Sequence, residues 1–150
     1  MSFKPMTRIA VLWDAENIHP RNHLGRVRHY LSFHYGTTAM KAAQYRMAYA
    51  KKGAHTKSFK ARKTGKCFIP YTVKPGPDAA DRKLIELARS FRGDVIVLAT
   101  NDRILIEAVE LVKQKHTELV AYGAMPKPVF ERGGDRGARE KIDLWLKVAA

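Results

Sequence analysis

The chain has 150 residues, enough for one domain with a hydrophobic core, and its formal net charge is +14. The positive charge is concentrated in the first half: residues 1–77 hold 15 Lys and Arg against 2 acids, whereas residues 78–150 hold 13 against 12. Cys67 is the only cysteine, so an intramolecular disulfide and a Cys-rich zinc site are excluded.

This charge asymmetry indicates a polyanionic partner, most simply nucleic acid. The other interpretation is a solvated basic surface, since ribosomal and membrane-surface proteins are also basic. No apolar run approaches membrane-spanning length, and the first residues, MSFKPMTR, lack the apolar segment of a signal peptide. We therefore expect a cytoplasmic protein that binds no membrane; the sequence leaves its oligomeric state open.

The first half of the chain predicts three strands and a helix. Residues 8–13 (RIAVLW) form a continuous apolar run typical of a strand buried on both faces. A helix is predicted over residues 20–33, since Pro suits a first turn and apolar residues follow at helical spacing: Leu24, Val27 and Leu31. Residues 42–49 and 68–73 predict two further strands, the second at a sheet edge because it contains Pro70.

Strands and helices alternate in the second half. The predicted order is helix, strand, helix, strand, loop and helix, over residues 78–91, 95–99, 102–116, 119–122, 131–137 and 138–148. Alternating strands and helices indicate an α/β domain with a parallel, doubly wound sheet. We expect a single domain over residues 1–150.

Four acids follow the predicted strands. Asp14 comes directly after the first strand, Asp102 follows the strand that ends at Ala99, and Asp78 and Asp81 open the helix after residues 68–73. In doubly wound sheets, functional groups gather beyond the carboxyl ends of the strands. Oxygen ligands with no cysteine suit Mg²⁺ or Mn²⁺, which can activate water for attack on a phosphodiester. Whether these acids meet depends on the strand order.

Each acid also has a structural interpretation. Asp78 and Asp81 are spaced like a helix N-cap and its N3 partner, and both would favour the helix dipole. Thr100 or Asn101 is expected to cap the next helix, with Asp102 in its first turn. Asp14 has the weakest structural explanation, because it adjoins a buried strand in the least acidic region of the chain.

Three segments resemble NYN domains, which belong to the PIN-like ribonuclease superfamily. RIAVLWDAENI is similar to the family's first strand, with Asp14 and Asn17 after it. AADRKLIELA resembles the central motif, in which an Asp opens a helix, here Asp81. VIVLATNDRILIEAV is similar to the third motif, a strand followed by Thr100, a small residue and Asp102. The three motifs occur in the family's order across roughly residues 8–123.

The resemblance implies a Rossmann-like, three-layer α/β/α fold and a metal-dependent nuclease, usually acting on RNA. By this resemblance Asp14, Asp81 and Asp102 would bind Mg²⁺ or Mn²⁺. Asn17 would orient a ligand or the attacking water, and Thr100 would support the site by hydrogen bonding. The leading hypothesis is therefore a metal-dependent endoribonuclease.

The chain departs from the family pattern at one acidic position. Many relatives carry a second Asp two residues after the third-motif Asp, whereas this chain has Ile104. Asp78 is an alternative alignment for the central acid, and a fourth metal ligand has three candidates: Asp78, Glu16 and Asp135. A site with three acids leaves a second hypothesis open, a non-catalytic nucleic-acid-binding module on the same fold.

The best sequence candidate for the nucleic-acid-binding surface is the basic segment 51–66. It contains seven cations and an aromatic residue, suited to phosphates and to base stacking respectively: Lys51, Lys52, Lys57, Phe59, Lys60, Arg62, Lys63 and Lys66. The alternative is a solvated loop. Arg21, Arg26 and Arg28 are candidates to extend this surface.

His19 and His23 are spaced like zinc ligands, but the sequence offers no third ligand at a suitable spacing. We therefore expect them to be surface or phosphate-contacting histidines.

Overall fold

The structure, a computed structural model, describes residues 6–50, 68–76, 78–124 and 128–132. Over these residues it is an α/β fold with one six-stranded, mostly parallel sheet and four α-helices. The strands are β1 (Ile9–Asp14), β2 (Gln44–Ala50), β3 (Ile69–Val73), β4 (Val95–Ala99), β5 (Glu118–Gly123) and β6 (Val129–Arg132). Their order in the sheet is β3-β2-β1-β4-β5-β6. The predicted α/β class and parallel sheet are thus confirmed.

The central strands are buried on both faces, as their continuous apolar sequences predict. Every residue of β1 and β4 is buried. β1 pairs in parallel with both β2 and β4, whereas β6 pairs antiparallel with β5. β3 is an edge strand, which confirms the expectation drawn from Pro70, since an edge strand tolerates a missing amide donor.

Helices cover both faces of the sheet. α1 (Leu24–Tyr35) and α2 (Thr37–Ala42) share a core with Trp13 on one face. The helices α3 (Ala79–Ser90) and α4 (Arg103–Val112) share a second core with Leu12 on the other. Because successive residues of a strand point to opposite faces, β1 contributes to both cores. The described chain therefore has three layers.

The local predictions hold for most elements, with four differences. A 3-10 turn over Pro20–Asn22 precedes α1, whose buried residues are the three that the spacing predicted. α2 was not predicted; it is separated from α1 by Gly36, whose φ of 91° is accessible to glycine and ends the first helix. α4 ends at Val112 rather than near residue 116, and β6 occupies the start of the segment predicted as a loop.

The predicted basic loop (residues 51–66) and closing helix (residues 138–148) lie outside the described residues, as does Asp135.

The strand order creates a crevice at the carboxyl edge of the sheet. The chain leaves β1 towards β2 on one side and leaves β4 towards β5 on the other, so the connections diverge between β1 and β4. Such a topological switch point is where open α/β sheets bind ligands. The residues that follow β1 and β4 border this crevice.

Candidate functional site

Three carboxylates reach the carboxyl edge of the sheet from three different elements. Asp14 is the last residue of β1, Asp102 lies between β4 and α4, and Asp81 lies in the first turn of α3. The sequence placed these acids at strand ends, and the adjacency of β1 and β4 brings the first two to the switch point. Asp81 lies at the same edge because α3 packs across β1 and β2.

Asp14 is a buried carboxylate held by one strong partner. Its side chain is only 4% exposed, and the Thr100 hydroxyl donates a hydrogen bond of 2.8 Å to its Oδ2. Burial raises the pKa of Asp14 from 3.8 to about 6, although the hydrogen bond from Thr100 acts in the opposite direction. Asp102 and Glu16 raise the pKa further by charge repulsion. The folded protein thus retains a carboxylate whose ionisation it disfavours.

Asp81 shares this electrostatic environment. Its partial burial, followed by repulsion from Asp14 and then from Asp102, raises its pKa from 3.8 to about 7. The second and third causes are carboxylates on other elements, so the three acids act on one another across the crevice. Perturbed, mutually repelling acids in a crevice are a physical signature of a functional site.

Thr100 links two of the acids. In addition to its bond to Asp14, its Oγ1 accepts the backbone N–H of Asp102 at 3.0 Å. Asp102 is itself the N-cap of α4, since its Oδ1 accepts the Ile104 N–H at 2.9 Å. The expectation that Thr100 or Asn101 caps this helix is therefore wrong. The cap engages one oxygen of Asp102 and fixes the orientation of its carboxylate.

Asn17 and Asn101 form a second polar link beside the acids. The Asn101 amide donates to Asn17 Oδ1 at 3.3 Å, and Asn101 Oδ1 accepts the Ala124 N–H at 2.7 Å. Asn17 also lies close enough to Asp14 to lower its pKa by hydrogen bonding. The sequence identified Asn17, but it offered Asn101 only as a helix cap and not as a partner of Asn17. The position of Asn101 directly after β4 and Thr100 is the signal that could have found it.

Two further acids lie near the site with different local roles. Glu16 Oε1 accepts the Ala50 N–H at 3.2 Å, which ties the segment after β1 to the end of β2. Asp78 is at the N-cap position of α3 with a left-handed φ of 56°, but its side chain makes no capping hydrogen bond. The N-cap interpretation of the Asp78 side chain is therefore wrong. Asp78 instead adds to the repulsion that raises the pKa of Asp81.

Glu107 of α4 is a buried carboxylate that the sequence did not single out. It is 3% exposed, and within the described part of the chain its Oε1 has no hydrogen-bond partner. It is absent from the groups that shift the pKa of Asp14 or Asp81, so we assign it no part in this site.

His19 and His23 each contact a group other than a metal ligand. His19 Nδ1 accepts the Arg21 N–H at 3.1 Å and so caps the 3-10 turn. The His23 Nδ1 lies 2.6 Å from the hydroxyl oxygen of Tyr122.

Of the arginines predicted to extend the nucleic-acid-binding surface, Arg21 and Arg26 are exposed, whereas Arg28 is partly buried. The seven cations and Phe59 predicted in segment 51–66 lie outside the described residues.

The donor chemistry of the site fits a divalent cation. Over residues 6–50, 68–76, 78–124 and 128–132, no group of three or more His, Cys, Asp and Glu side chains is close enough to form a complete metal cage. Mg²⁺, however, is usually held by one or two carboxylates, several waters and the phosphates of a substrate. Asp14 and its repelling neighbours offer such ligands, and a cation would relieve their repulsion.

The chain matches no protein-family model, no curated protein and no solved structure. Among the described residues, no helix is long and apolar enough to cross a bilayer.

Proposed function

We propose that this chain is a metal-dependent endoribonuclease on a Rossmann-like, PIN-like variant of the α/β fold, with the NYN-type motifs as its catalytic elements. The observation that carries the proposal is the convergence of Asp14, Asp81 and Asp102 at the switch point, where the pKa values of the first two are raised. Burying mutually repelling acids destabilises a fold, so their convergence favours a role in binding a cation.

The chain's own residues have distinct tasks in this proposal. In this proposal Asp14 and Asp102 would bind the cation directly, whereas Asp81 and the further candidate Asp78 would reach it through bound waters. Thr100 holds the Asp14 carboxylate and the Asp102 backbone in a fixed relation through its hydroxyl. Asn17, anchored by Asn101, orients the attacking water or the substrate. When bound, Mg²⁺ or Mn²⁺ supplies charge stabilisation at the phosphoryl group and a more acidic water.

The charge distribution supports nucleic acid as the substrate class, and the resemblance to NYN domains favours RNA. Residues 1–77 carry thirteen more cations than acids, and the only acids among them are Asp14 and Glu16. A surface of this kind attracts polyanions to a site whose own charge is negative unless a cation is bound. We assign phosphate contacts to the basic segment 51–66 and base stacking to Phe59. The single cysteine agrees with a reducing, cytoplasmic location.

The test is cleavage of single-stranded RNA and DNA oligomers by the purified protein, with Mg²⁺, with Mn²⁺ or with chelator. We expect RNA products that require the metal and that disappear in Asp14→Asn. Cleavage that survives both the chelator and Asp14→Asn would overturn the mechanism. Cleavage of DNA alone would overturn the substrate assignment but leave the metal site intact.

A second candidate function is nucleic-acid binding without catalysis. The observation that favours it is Ile104, whose side chain packs against the α3–α4 core at the position where many NYN relatives carry an acid. This candidate predicts salt-sensitive binding with no metal-dependent product. The cleavage assay separates the two candidates, because both predict binding and only the nuclease predicts turnover.

A further inference from the structure

A groove lies between α1 and β6, on the opposite face of the sheet from α3 and α4. Its volume is about 580 Å³, and its walls include Arg26, His29, Tyr30, Phe33, His34 and Phe130. We call it the α1–β6 groove. Sites that bind molecules of nucleotide size commonly have volumes of roughly 300–1,000 Å³.

Aromatic rings form one wall of the groove. The Tyr30 and Phe130 rings stack with centroids 4.0 Å apart and planes inclined by 10°. The Tyr122 ring supports Phe130 from the sheet, with centroids 4.8 Å apart. Phe33 stands beside this wall with 79% of its surface exposed, although its ring is apolar. The stacked rings therefore form a packed wall, and Phe33 is the aromatic side chain of the groove that faces solvent.

The polar groups of the groove suit a polyanion. Arg26 is exposed in the first turn of α1, and His29 and His34 supply imidazole nitrogens along the same helix. No carboxylate lines the groove within the described part of the chain, and the sequence of α1 contains no acid. Another exposed apolar side chain, Leu111 of α4, instead follows an acid, Glu110. The α1–β6 groove therefore combines basic and aromatic groups with no acid among its lining residues.

A chain of contacts connects the groove with the carboxyl edge of the sheet. His23, directly before α1, contacts the Tyr122 hydroxyl, and the Tyr122 carbonyl accepts the Thr100 N–H at 2.9 Å. Phe130 pairs with Tyr122 in the sheet register. One short chain of contacts therefore joins the groove to Thr100, which binds the Asp14 carboxylate. A strand that extends from the groove past Tyr122 would approach the acids beside Thr100.

We propose that the α1–β6 groove binds one or more nucleotides of a single-stranded nucleic acid, with Phe33 stacking on a base and Arg26 contacting a phosphate. The identity of the polymer rests on the proposed function, whereas the mode of binding rests on the groove itself. An exposed aromatic side chain beside a cation binds single strands with little dependence on sequence, because every base has a π-face. A duplex, with its bases already stacked, would not use Phe33 in this way.

The experiment measures equilibrium binding in the presence of chelator, so that cleavage does not enter. The probe is a short, fluorescently labelled, single-stranded RNA, and a duplex of the same sequence serves as the comparison. We expect Phe33→Ala to weaken single-strand binding by roughly five- to a hundred-fold, the usual effect of losing one stacked base. Arg26→Ala should weaken binding and lower the slope of log affinity against log salt by about one.

The matched control is Leu111→Ala, which removes an exposed apolar side chain on the other face. We expect it to bind the single strand as the unsubstituted protein does. A 2-aminopurine base in the probe adds a second readout, because its fluorescence changes when the base leaves the stack of its neighbours, and Phe33→Ala should abolish the change seen on binding. All three variants change exposed residues, and circular dichroism checks their fold.

Single-strand affinity unchanged within about twofold in Phe33→Ala overturns the inference, whatever the cleavage assay gives. An equal loss of affinity in Leu111→Ala, or a duplex that depends on Phe33 to the same extent, also overturns it. Phe33-dependent binding without any metal-dependent cleavage would support the groove and contradict the proposed nuclease. Metal-dependent cleavage together with binding that does not depend on Phe33 would support the nuclease and contradict the groove.

Discussion

Acidic side chains at the two ends of strands β1 and β4 lie in opposite environments, one exposed and one buried. At the amino edge, Asp94 is exposed and its Oδ2 accepts the Arg8 N–H at 2.8 Å. At the carboxyl edge, Asp14 is buried, and burial and neighbouring acids raise its pKa to about 6. Of these two carboxylates, Asp94 is exposed and hydrogen-bonded, whereas Asp14 lies where burial disfavours its charged form.

Two buried threonines extend the comparison. At the amino edge, Thr117 Oγ1 donates to the Gly93 carbonyl at 2.7 Å and closes a loop. At the carboxyl edge, Thr100 Oγ1 donates to a carboxylate instead. Side chains at both edges hydrogen-bond backbone groups, but of these two threonines only Thr100 also donates to a buried carboxylate. Buried, mutually repelling carboxylates lower the stability of the fold, and such a cost in stability is typical of a functional site.

The largest expected difference between the edges is in catalysis. Asp14→Asn should lower metal-dependent RNA cleavage by roughly 100- to 1,000-fold, because a bound divalent ion supplies several kcal/mol of transition-state stabilisation. Asp94→Asn, the matched change at the amino edge, should cleave at the rate of the unsubstituted protein. Single-turnover rates at saturating Mg²⁺ measure both. Equal rates for the two variants would contradict the assignment of the site.

The threonine pair should separate catalysis from stability. Thr100→Val should lower activity or metal affinity by roughly 10- to 100-fold, as removal of a group that orients a metal ligand commonly does. Thr117→Val should leave activity intact and destabilise the protein by about 1–3 kcal/mol, because a buried carbonyl loses its donor. Cleavage rates at varied Mg²⁺ and urea unfolding distinguish them. Loss of stability alone in Thr100→Val would assign Thr100 a structural role only.

A third difference concerns pH and stability in the absence of metal. Asp81 has a raised pKa of about 7 in the folded protein and an ordinary 3.8 when unfolded. Between these values the folded protein binds more protons, so the free energy of unfolding should fall as pH rises from about 4 to 7.

Asp81→Asn should therefore stabilise the metal-free protein by about 1–2 kcal/mol at pH 8, a value reduced for the partial exposure of the side chain. At pH 3, which lies below the pKa of Asp81 in both states, the gain should be nearly absent. Asp94→Ala should instead destabilise the protein by about 1 kcal/mol through the lost hydrogen bond. Urea unfolding in chelator at both pH values measures these effects. A destabilised Asp81→Asn at pH 8 would show that the charge of Asp81 is favourable.

The smallest expected effect is stabilisation by Mg²⁺ itself. At pH 8 and about five times the dissociation constant, Mg²⁺ should add about 1 kcal/mol of stability. For a chain of this size that corresponds to a rise in Tm of about 2–4 °C. Asp14→Asn should show no such rise, and Ca²⁺ or monovalent salt at equal ionic strength controls for screening. A rise of equal size in Asp14→Asn would place the ion elsewhere.

Local sequence predicted the core of the fold well because burial leaves a simple pattern. The apolar runs of β1 and β4 and the helical spacing of Leu24, Val27 and Leu31 each reflect contacts that recur along a short segment. The sequence did not predict α2 and β6, because neither has contacts that recur along its segment. α2 is one short helix after Gly36, and β6 has four residues whose pairing depends on β5. Such short elements are stabilised by tertiary contacts more than by their own sequence.

The candidate site was predictable only in part. Asp14, Asp81 and Asp102 could be placed at strand or helix ends, because the chain alternates regularly. The capping role of Asp102, the hydroxyl link through Thr100 and the contribution of Asn101 could not. These depend on rotamers and on distances between segments far apart in the chain, and several residues near a helix start are equally good caps by type.

By itself, the sequence determined the α/β class, the uneven charge and the positions of acids directly after buried strands, since each follows from composition or short-range periodicity. The tertiary structure alone decided that β1 lies beside β4, that Asp14 is buried, and that α1 and β6 enclose a groove. Strand order arises from long-range pairing, which many sequences of this pattern could satisfy in other ways. Burial then converts neighbouring carboxylates into coupled groups with raised pKa values, and no linear pattern encodes that coupling.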